Sequence, residues 1–149
     1  MAGFIAIEIR AAPLEQIIDL RHRVLREGLP RETAFFTGDD QPGAIHLAAI
    51  FDHQTIGCAT LHPSDYEGRP AFQLRGMAIE PAHQRHGIGR RLLLKTHRLA
   101  VESRTPVLWA NCRTPAVSFY KSFGWKVISQ EFVIETAGPH FKMIKFMRA

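Results

Sequence analysis

Phe4, Ala6 and Glu8 alternate against Ile5, Ile7 and Ile9, and a period of two predicts a strand. Pro13 follows at a position where a helix tolerates a missing N–H. Leu14, Ile17, Ile18, Val24 and Leu25 form the apolar stripe of that helix, which Gly28 and Pro30 end. Residues 31–43 carry no period and read as an irregular loop, with Asp39-Asp40 in a turn. Ala44 to Phe51 and Thr55 to His62 are two strands of a hairpin about Asp52-His53-Gln54. Pro63 to Pro70 reads as a polar loop, and Phe72 to Ile79 as the next strand. Gly87 to Glu102 is helical, with Ile88, Leu92, Thr96 and Leu99 on one face. Val107 to Cys112, bounded by Pro106, is a central strand. Thr114 then N-caps a helix with Pro115 at its first position. Ala116, Phe119, Tyr120 and Phe123 share a face of it, and Gly124 is its C′ residue. Trp125 to Ile134 and His140 to Met147 close the chain around Gly138-Pro139. The order β-α-β-β-β-α-β-α-β-β predicts a mixed α/β sandwich about one sheet of six to seven strands.

At 149 residues and 46% hydrophobic content, the chain has the size of one domain and enough apolar surface for a core. No apolar run approaches the roughly 18 residues that would span a membrane. The N-terminus lacks a basic stretch followed by an apolar one, so a signal peptide is not expected. Cys58 and Cys112 sit in apolar strands, which fits buried, reduced thiols and a cytoplasmic setting. Two cysteines exclude a cysteine-rich zinc module, and no metal site is expected. The net charge is +5. A basic balance suits nucleic acid, a membrane surface or a polyanionic small ligand. The clustering of Arg85, His86, Arg90, Arg91, Lys95, His97 and Arg98 narrows the choice to whatever meets that helix.

The most informative stretch is Gln84-Arg-His-Gly-Ile-Gly89. A strand that turns through glycines into a helix aims unpartnered first-turn amides at one point, and the helix dipole adds partial positive charge there. Such a point is an anion site, and glycine lets a phosphate lie against the backbone.

Gln84-x-x-Gly87-x-Gly89 after Met77-Ala-Ile-Glu-Pro81, then Asn111, then Ala116-x-x-Phe-Tyr-Lys-Ser-Phe-Gly124, resembles the GNAT superfamily of acyl-CoA-dependent N-acetyltransferases. The closing Gly138-Pro-His-Phe-Lys-Met143 looks like the final hairpin of many small bacterial members. The resemblance covers nearly the whole chain as a single domain, 1–149. It implies a sheet splayed between the strand before the turn and the next parallel strand, with acetyl-CoA as cosubstrate. The backbone of Gln84, Arg85, His86, Gly87, Ile88, Gly89 and Arg90 would hold the pyrophosphate. Backbone groups of Met77 and Ile79 would bond the pantetheine, joined by Asn111, Ala116, Phe119 and Tyr120. The Met77 N–H would also stabilise the oxyanion. Arg85 stands where the family often has glycine.

Acyl transfer to an amine needs a neutral amine, a stabilised oxyanion and a proton for the leaving thiolate. Tyr120 is the expected general acid, since a phenol stays protonated at neutral pH. Spacing alone also fits a core tyrosine on an amphipathic helix. No base stands out. Gln73 falls where some family members carry a glutamate, and Glu80, His46, His62, Glu131 and His140 are further candidates, each with a structural reading beside the catalytic one. Gln73, Arg75 and His140 are the candidate acceptor contacts, and Arg75 in such a groove would favour a carboxylate-bearing substrate. The expected partner is a small-molecule or peptide amine, with no membrane and no nucleic acid, and a homodimer by analogy with the fold. Two other readings stay open: an acyl-CoA sensor without turnover, and a nucleic-acid module using Arg90, Arg91, Lys95 and Arg98.

Overall fold

The computed structural model describes residues 6–147. The chain divides into two units: residues through His62 together with Leu74–Arg98, and Pro63–Gln73 together with the chain from Leu99 on. Eight strands, β1 (Glu8–Ala11), β2 (Ile45–Phe51), β3 (Gln54–Tyr66), β4 (Arg69–Ile79), β5 (Val107–Arg113), β6 (Lys126–Val127), β7 (Phe132–Ile134) and β8 (Gly138–Phe146), form a mixed sheet in the order β1-β2-β3-β4-β5-β8-β6, with β7 on β8.

In the first unit, β1 (Glu8–Ala11) pairs antiparallel with β2 (Ile45–Phe51), and the Ala12 N–H extends the pairing to the His46 carbonyl at 2.9 Å. The strand expected at Phe4 to Ile9 meets β1 only at Glu8 and Ile9, and β1 runs two residues further, to Ala11; Phe4 and Ile5 fall outside the described residues. Strand β2 turns into β3 (Gln54–Tyr66) through Asp52 and His53, both at positive φ, as a two-residue primed hairpin requires. Helix α1 (Leu14–Leu25) starts one residue later than expected, with Pro13 as its N-cap and not its first helical residue. Its Ile17 and Leu20 pack on Ala48, Cys58 and Ala78, with Leu14, Val24 and Leu25 around them.

The stretch Pro63 to Pro70 is not a loop. β3 runs on to Tyr66 and turns through Glu67 and Gly68, both at positive φ, into β4 (Arg69–Ile79). Proline costs a strand only one N–H donor, so Pro63 did not stop it. Helix α2 is Ile88–Glu102, with Ile88, Leu92, Leu93 and Thr96 fully buried.

In the second unit, the start of β4 pairs in parallel with β5 (Val107–Arg113) over three positions, Ala71↔Val107 to Gln73↔Trp109. β5 pairs antiparallel along its length with β8 (Gly138–Phe146). The expected strand Trp125 to Ile134 is two short ones, β6 (Lys126–Val127) and β7 (Phe132–Ile134), both on β8. Ala71, Val107 and Ile144 form the core here, flanked by Tyr66 and Trp109. Helix α3 (Val117–Lys121) follows a 3₁₀ turn at Thr114–Ala116. Thr114 does not cap it: its hydroxyl donates to Glu131 Oε2 at 2.8 Å instead.

The largest departure from the sequence reading lies in residues 31–43. They form a 3₁₀ turn, Arg31–Ala34, and then deliver Asp39 into the interior. Arg21, on the apolar stripe of α1, has no exposed surface. Its guanidinium donates to Asp39 Oδ2 at 2.6 Å, Asp39 Oδ1 at 3.2 Å, Thr60 Oγ1 at 2.7 Å and the Ala34 carbonyl at 2.8 Å. His62 Nε2 lies 2.9 Å from Asp39 Oδ1, and the Phe36 N–H donates to Oδ2 at 2.7 Å. Asp39 is therefore not a solvated turn residue.

Burial alone would push the Asp39 carboxyl up, but the hydrogen bonds from His62, Arg21 and the Phe36 amide outweigh it and hold it well below the usual range. Because the folded value is depressed, this stabilisation is present above the unfolded pKa of about 3.9 and is lost as pH falls toward the folded value. Asp39→Asn leaves Arg21 buried against a neutral partner. Urea unfolding at pH 7 is expected to show a loss of about 3–5 kcal/mol, with a flatter decline of stability below about pH 4. An unchanged midpoint would show that the pair does not hold this loop.

Candidate functional site

Between β4 and α2 lies a 3₁₀ turn, Pro81–His83, followed by the glycine segment. The first intrahelical bond of α2 runs from the Arg91 N–H to the Gly87 carbonyl, 3.1 Å. The amides of Ile88, Gly89 and Arg90 thus precede the ladder and have no intrahelical acceptor. A Cβ added to Gly87 would meet no protein atom within 4 Å, so the space against this backbone is open. Arg85, His86 and Arg90 are exposed around it. Arg85 sits at φ +67°, a left-handed conformation that costs a non-glycine residue roughly 1–2 kcal/mol. An open cradle, free amides and three basic side chains match the chemistry of a diphosphate.

Gln84 contributes differently from expectation. Its own N–H is engaged with the Pro81 carbonyl at 3.3 Å, and its side-chain Nε2 donates to the Ile79 carbonyl at 3.3 Å. It braces the turn onto the end of β4. Arg91 likewise turns away, donating to the Ile7 carbonyl at 2.7 Å. Upstream, Gly76 adopts φ +64°, and a Cβ there would come within 3.0 Å of both Arg21 Nε and the Phe36 ring. Only glycine meets both demands, so the strand breaks its regular pleat between Arg75 and Met77. A lone glycine inside a strand was the available signal for this irregularity.

In the second unit, Tyr120 is buried on α3, its ring edge-on to Phe119 at 5.4 Å and Trp125 at 5.1 Å. The helix ends in a Schellman arrangement: Trp125 N–H to the Tyr120 carbonyl at 3.2 Å and Gly124 N–H to Lys121 at 3.0 Å, with Gly124 at φ +88°. The end of α3 is thereby locked to the Tyr120 ring. Burial, with a smaller push from Cys112, raises the phenol pKa above its ordinary value. Arg21 Nε is the only buried side-chain nitrogen or oxygen without a partner among the described residues, so the Tyr120 hydroxyl is not a sealed, orphaned group. Asn111 is exposed on β5 opposite Lys142, Ala116 ends the 3₁₀ turn, and Phe119 is half-buried. Burial pushes the thiols of Cys58 and Cys112 up to about 12, which makes them inert core residues.

The candidate bases are mostly occupied. His46 donates from Nε2 to the Asp39 carbonyl at 2.9 Å, and its Nδ1 lies 2.9 Å from the Thr60 hydroxyl. His62 holds Asp39. His140 Nδ1 bonds the Gly138 carbonyl at 2.8 Å, and its ring stacks on Phe132. Glu131 accepts from Thr114. Glu80 pairs with Arg23 at 2.9 Å, and that hydrogen bond holds its carboxyl below the ordinary range. Gln73 lies in the β4–β5 ladder opposite Trp109. Among the described residues no cluster of three or more His, Cys, Asp or Glu side chains is placed to hold a metal ion, and no helix is long and apolar enough to cross a membrane.

Residues 42–127 match the acetyltransferase (GNAT) domain model, a stretch that contains the turn, α2, β5 and α3. The chain belongs to the GNAT acetyltransferase family. YitI of Bacillus subtilis, described as an uncharacterized N-acetyltransferase, is 28% identical over 145 residues, covering 95% of this chain and 97% of YitI. A Lactobacillus plantarum protein of known structure has the same fold at TM-score 0.80 and 19% identity, over 96% of this chain and 99% of that one. So does an aminoglycoside 6′-N-acetyltransferase crystallised with coenzyme A, at TM-score 0.75 and 15% identity, over 95% and 98%.

The GNAT helix carrying Tyr120 depends on its terminating glycine. At φ +88°, an added Cβ is strained and would also meet Lys145 Nζ at 2.6 Å. Gly124→Ala is expected to lower unfolding stability by about 1–2 kcal/mol in a urea titration. A gain in stability would rule out the left-handed cap.

Proposed function

We propose that this chain is an N-acetyltransferase that moves an acetyl group from acetyl-CoA to a primary amine by direct attack in a ternary complex, working as one acyltransferase domain. The observation that carries the reading is the open backbone cradle at Gly87, whose neighbouring amides have no intrahelical acceptor. Hydrogen bonds from such donors to a charged group contribute roughly 1.5–3 kcal/mol each, so three of them exceed the helix-dipole contribution of roughly 0.3–1 kcal/mol. The arrangement therefore suits a diphosphate gripped by main chain, with Arg85, His86 and Arg90 adding contacts.

Bound acetyl-CoA supplies the activated thioester. By the family resemblance, Met77 would offer its N–H to the carbonyl oxygen as charge develops there and Ile79 would bond the pantetheine arm, a role the resemblance also gives to Asn111, Ala116 and Phe119. Tyr120 enters the reaction protonated, because burial disfavours its phenolate; it serves as an acid toward the departing sulfur and not as a base toward the amine. His46 and His62 are held in the Asp39 network and Glu80 by Arg23, and we assign removal of the amine proton to solvent. A lysine-like amine of pKa roughly 10.4 is about one part in a thousand neutral at pH 7, so its deprotonation weighs heavily on the rate.

Gly87→Val places a side chain in the cradle and is expected to remove coenzyme A binding, read by calorimetry, while circular dichroism stays that of a folded protein. Wild-type affinity in this variant would sink the placement of the pyrophosphate. Tyr120→Phe is expected to keep coenzyme A affinity and lose turnover by about 10²–10⁴-fold in a thiol-release assay. Undiminished turnover would remove Tyr120 from the mechanism, and a wild-type protein silent toward every amine would favour an acyl-CoA sensor.

A further inference from the structure

Three guanidinium groups gather on one aromatic ring in the first unit. The Cζ atoms of Arg21, Arg75 and Arg26 lie 4.1, 4.3 and 5.3 Å from the centroid of Phe36. Asp39 is the carboxylate that meets Arg21, and it is fully committed. Its Oδ2 accepts from Arg21 and the Phe36 amide, and its Oδ1 accepts from Arg21 and His62. Burial, together with the charges of Arg21 and Arg26, pulls the Arg75 pKa below its ordinary value against the opposing pull of Asp39.

Arg75 itself is half-buried and makes no hydrogen bond or ion pair among the described residues. Its planar fork carries five N–H donors, and its flat face is fixed on Phe36. A guanidinium held by stacking, partly withdrawn from water and with its own fork unpaired is matched by an oxyanion that accepts two parallel N–H bonds. The chain gives this fork an address. Arg75 lies two residues before Met77, the proposed oxyanion donor, with their backbones at most roughly 7 Å apart on the same strand.

We propose that Arg75, stacked on Phe36 in the company of Arg21 and Arg26, binds a carboxylate or phosphate borne by the acceptor amine. The assignment rests on the N-acetyltransferase reading above and narrows it to anionic acceptors. Arg21 and Asp39 act as positioning residues: their pairing carries the Phe36 loop to the strand, and the Phe36 ring orients the fork.

The full chain is assayed with acetyl-CoA and two matched acceptor pairs, leucine against 3-methylbutylamine and phosphoethanolamine against ethanolamine. In the wild type, kcat/KM is expected to favour the anionic member of a pair by about tenfold or more. Arg75→Gln should bring that ratio close to unity, chiefly through KM, and Arg75→Lys should recover part of it. Preference within the first pair alone assigns a carboxylate, and within the second alone a phosphate. A wild-type ratio near unity in both pairs, or a preference untouched by Arg75→Gln, overturns the proposal while leaving the transferase reading in place. Should no amine be acetylated, that reading fails, and calorimetric titration with leucine and with phosphoethanolamine decides the subsite. Binding that Arg75→Gln abolishes supports it, and absent or Arg75-independent binding overturns it.

Discussion

The Arg21 guanidinium is wholly withdrawn from water, and taking such a charge inside costs several kcal/mol unless it is paired and hydrogen-bonded. Asp39, Thr60 and the Ala34 carbonyl meet that demand together. The requirement fixes where residues 31–43 run, because Asp39 must reach α1 and Ala34 must present its carbonyl. It also sets β3, since Thr60 relays from Arg21 to His46, which returns to the Asp39 carbonyl. A closed ring of donors and acceptors thus joins α1, the loop, β2 and β3. Phe36 comes with the loop, and Gly76 is the residue small enough to lie against it.

Two kinds of anion recognition are proposed, in different parts of the chain. The turn before α2 uses main chain: free amides, an open Gly87 and a helix dipole, with little dependence on side-chain identity. The cluster on Phe36 would use side chains, with selectivity set by the geometry of a stacked guanidinium. The first suits a ligand common to a large family, as the GNAT match over residues 42–127 suggests. The second is a property of this chain's own residues and is where acceptor choice would be set.

Family likeness below 25% identity carries the fold and leaves chemistry to the residues. Here several of the histidines and carboxylates that attract attention in the sequence hold the structure, with His46 and His62 on Asp39 and Glu80 on Arg23. Tyr120 differs, since burial keeps its proton in place and its helix is locked by the Gly124 cap.

Local signals in the sequence determined the two hairpin strands about Asp52-His53, the strand-turn-helix at residues 84–89, the cap at Gly124 and the buried thiols. Each depends on periodicity, a turn residue or a side chain's size, which neighbours in sequence already express. Tertiary structure alone decided the fate of Asp39, the sealed position of Arg21, the stacking of three arginines on Phe36 and the continuation of β3 through Pro63. Arg21 did fall on the apolar stripe of α1, between Ile17, Ile18 and Leu25, yet nothing nearby in the chain named its partner. A buried charge is stabilised by groups that folding brings from 13 to 39 residues away, and no local pattern records which acceptor will arrive.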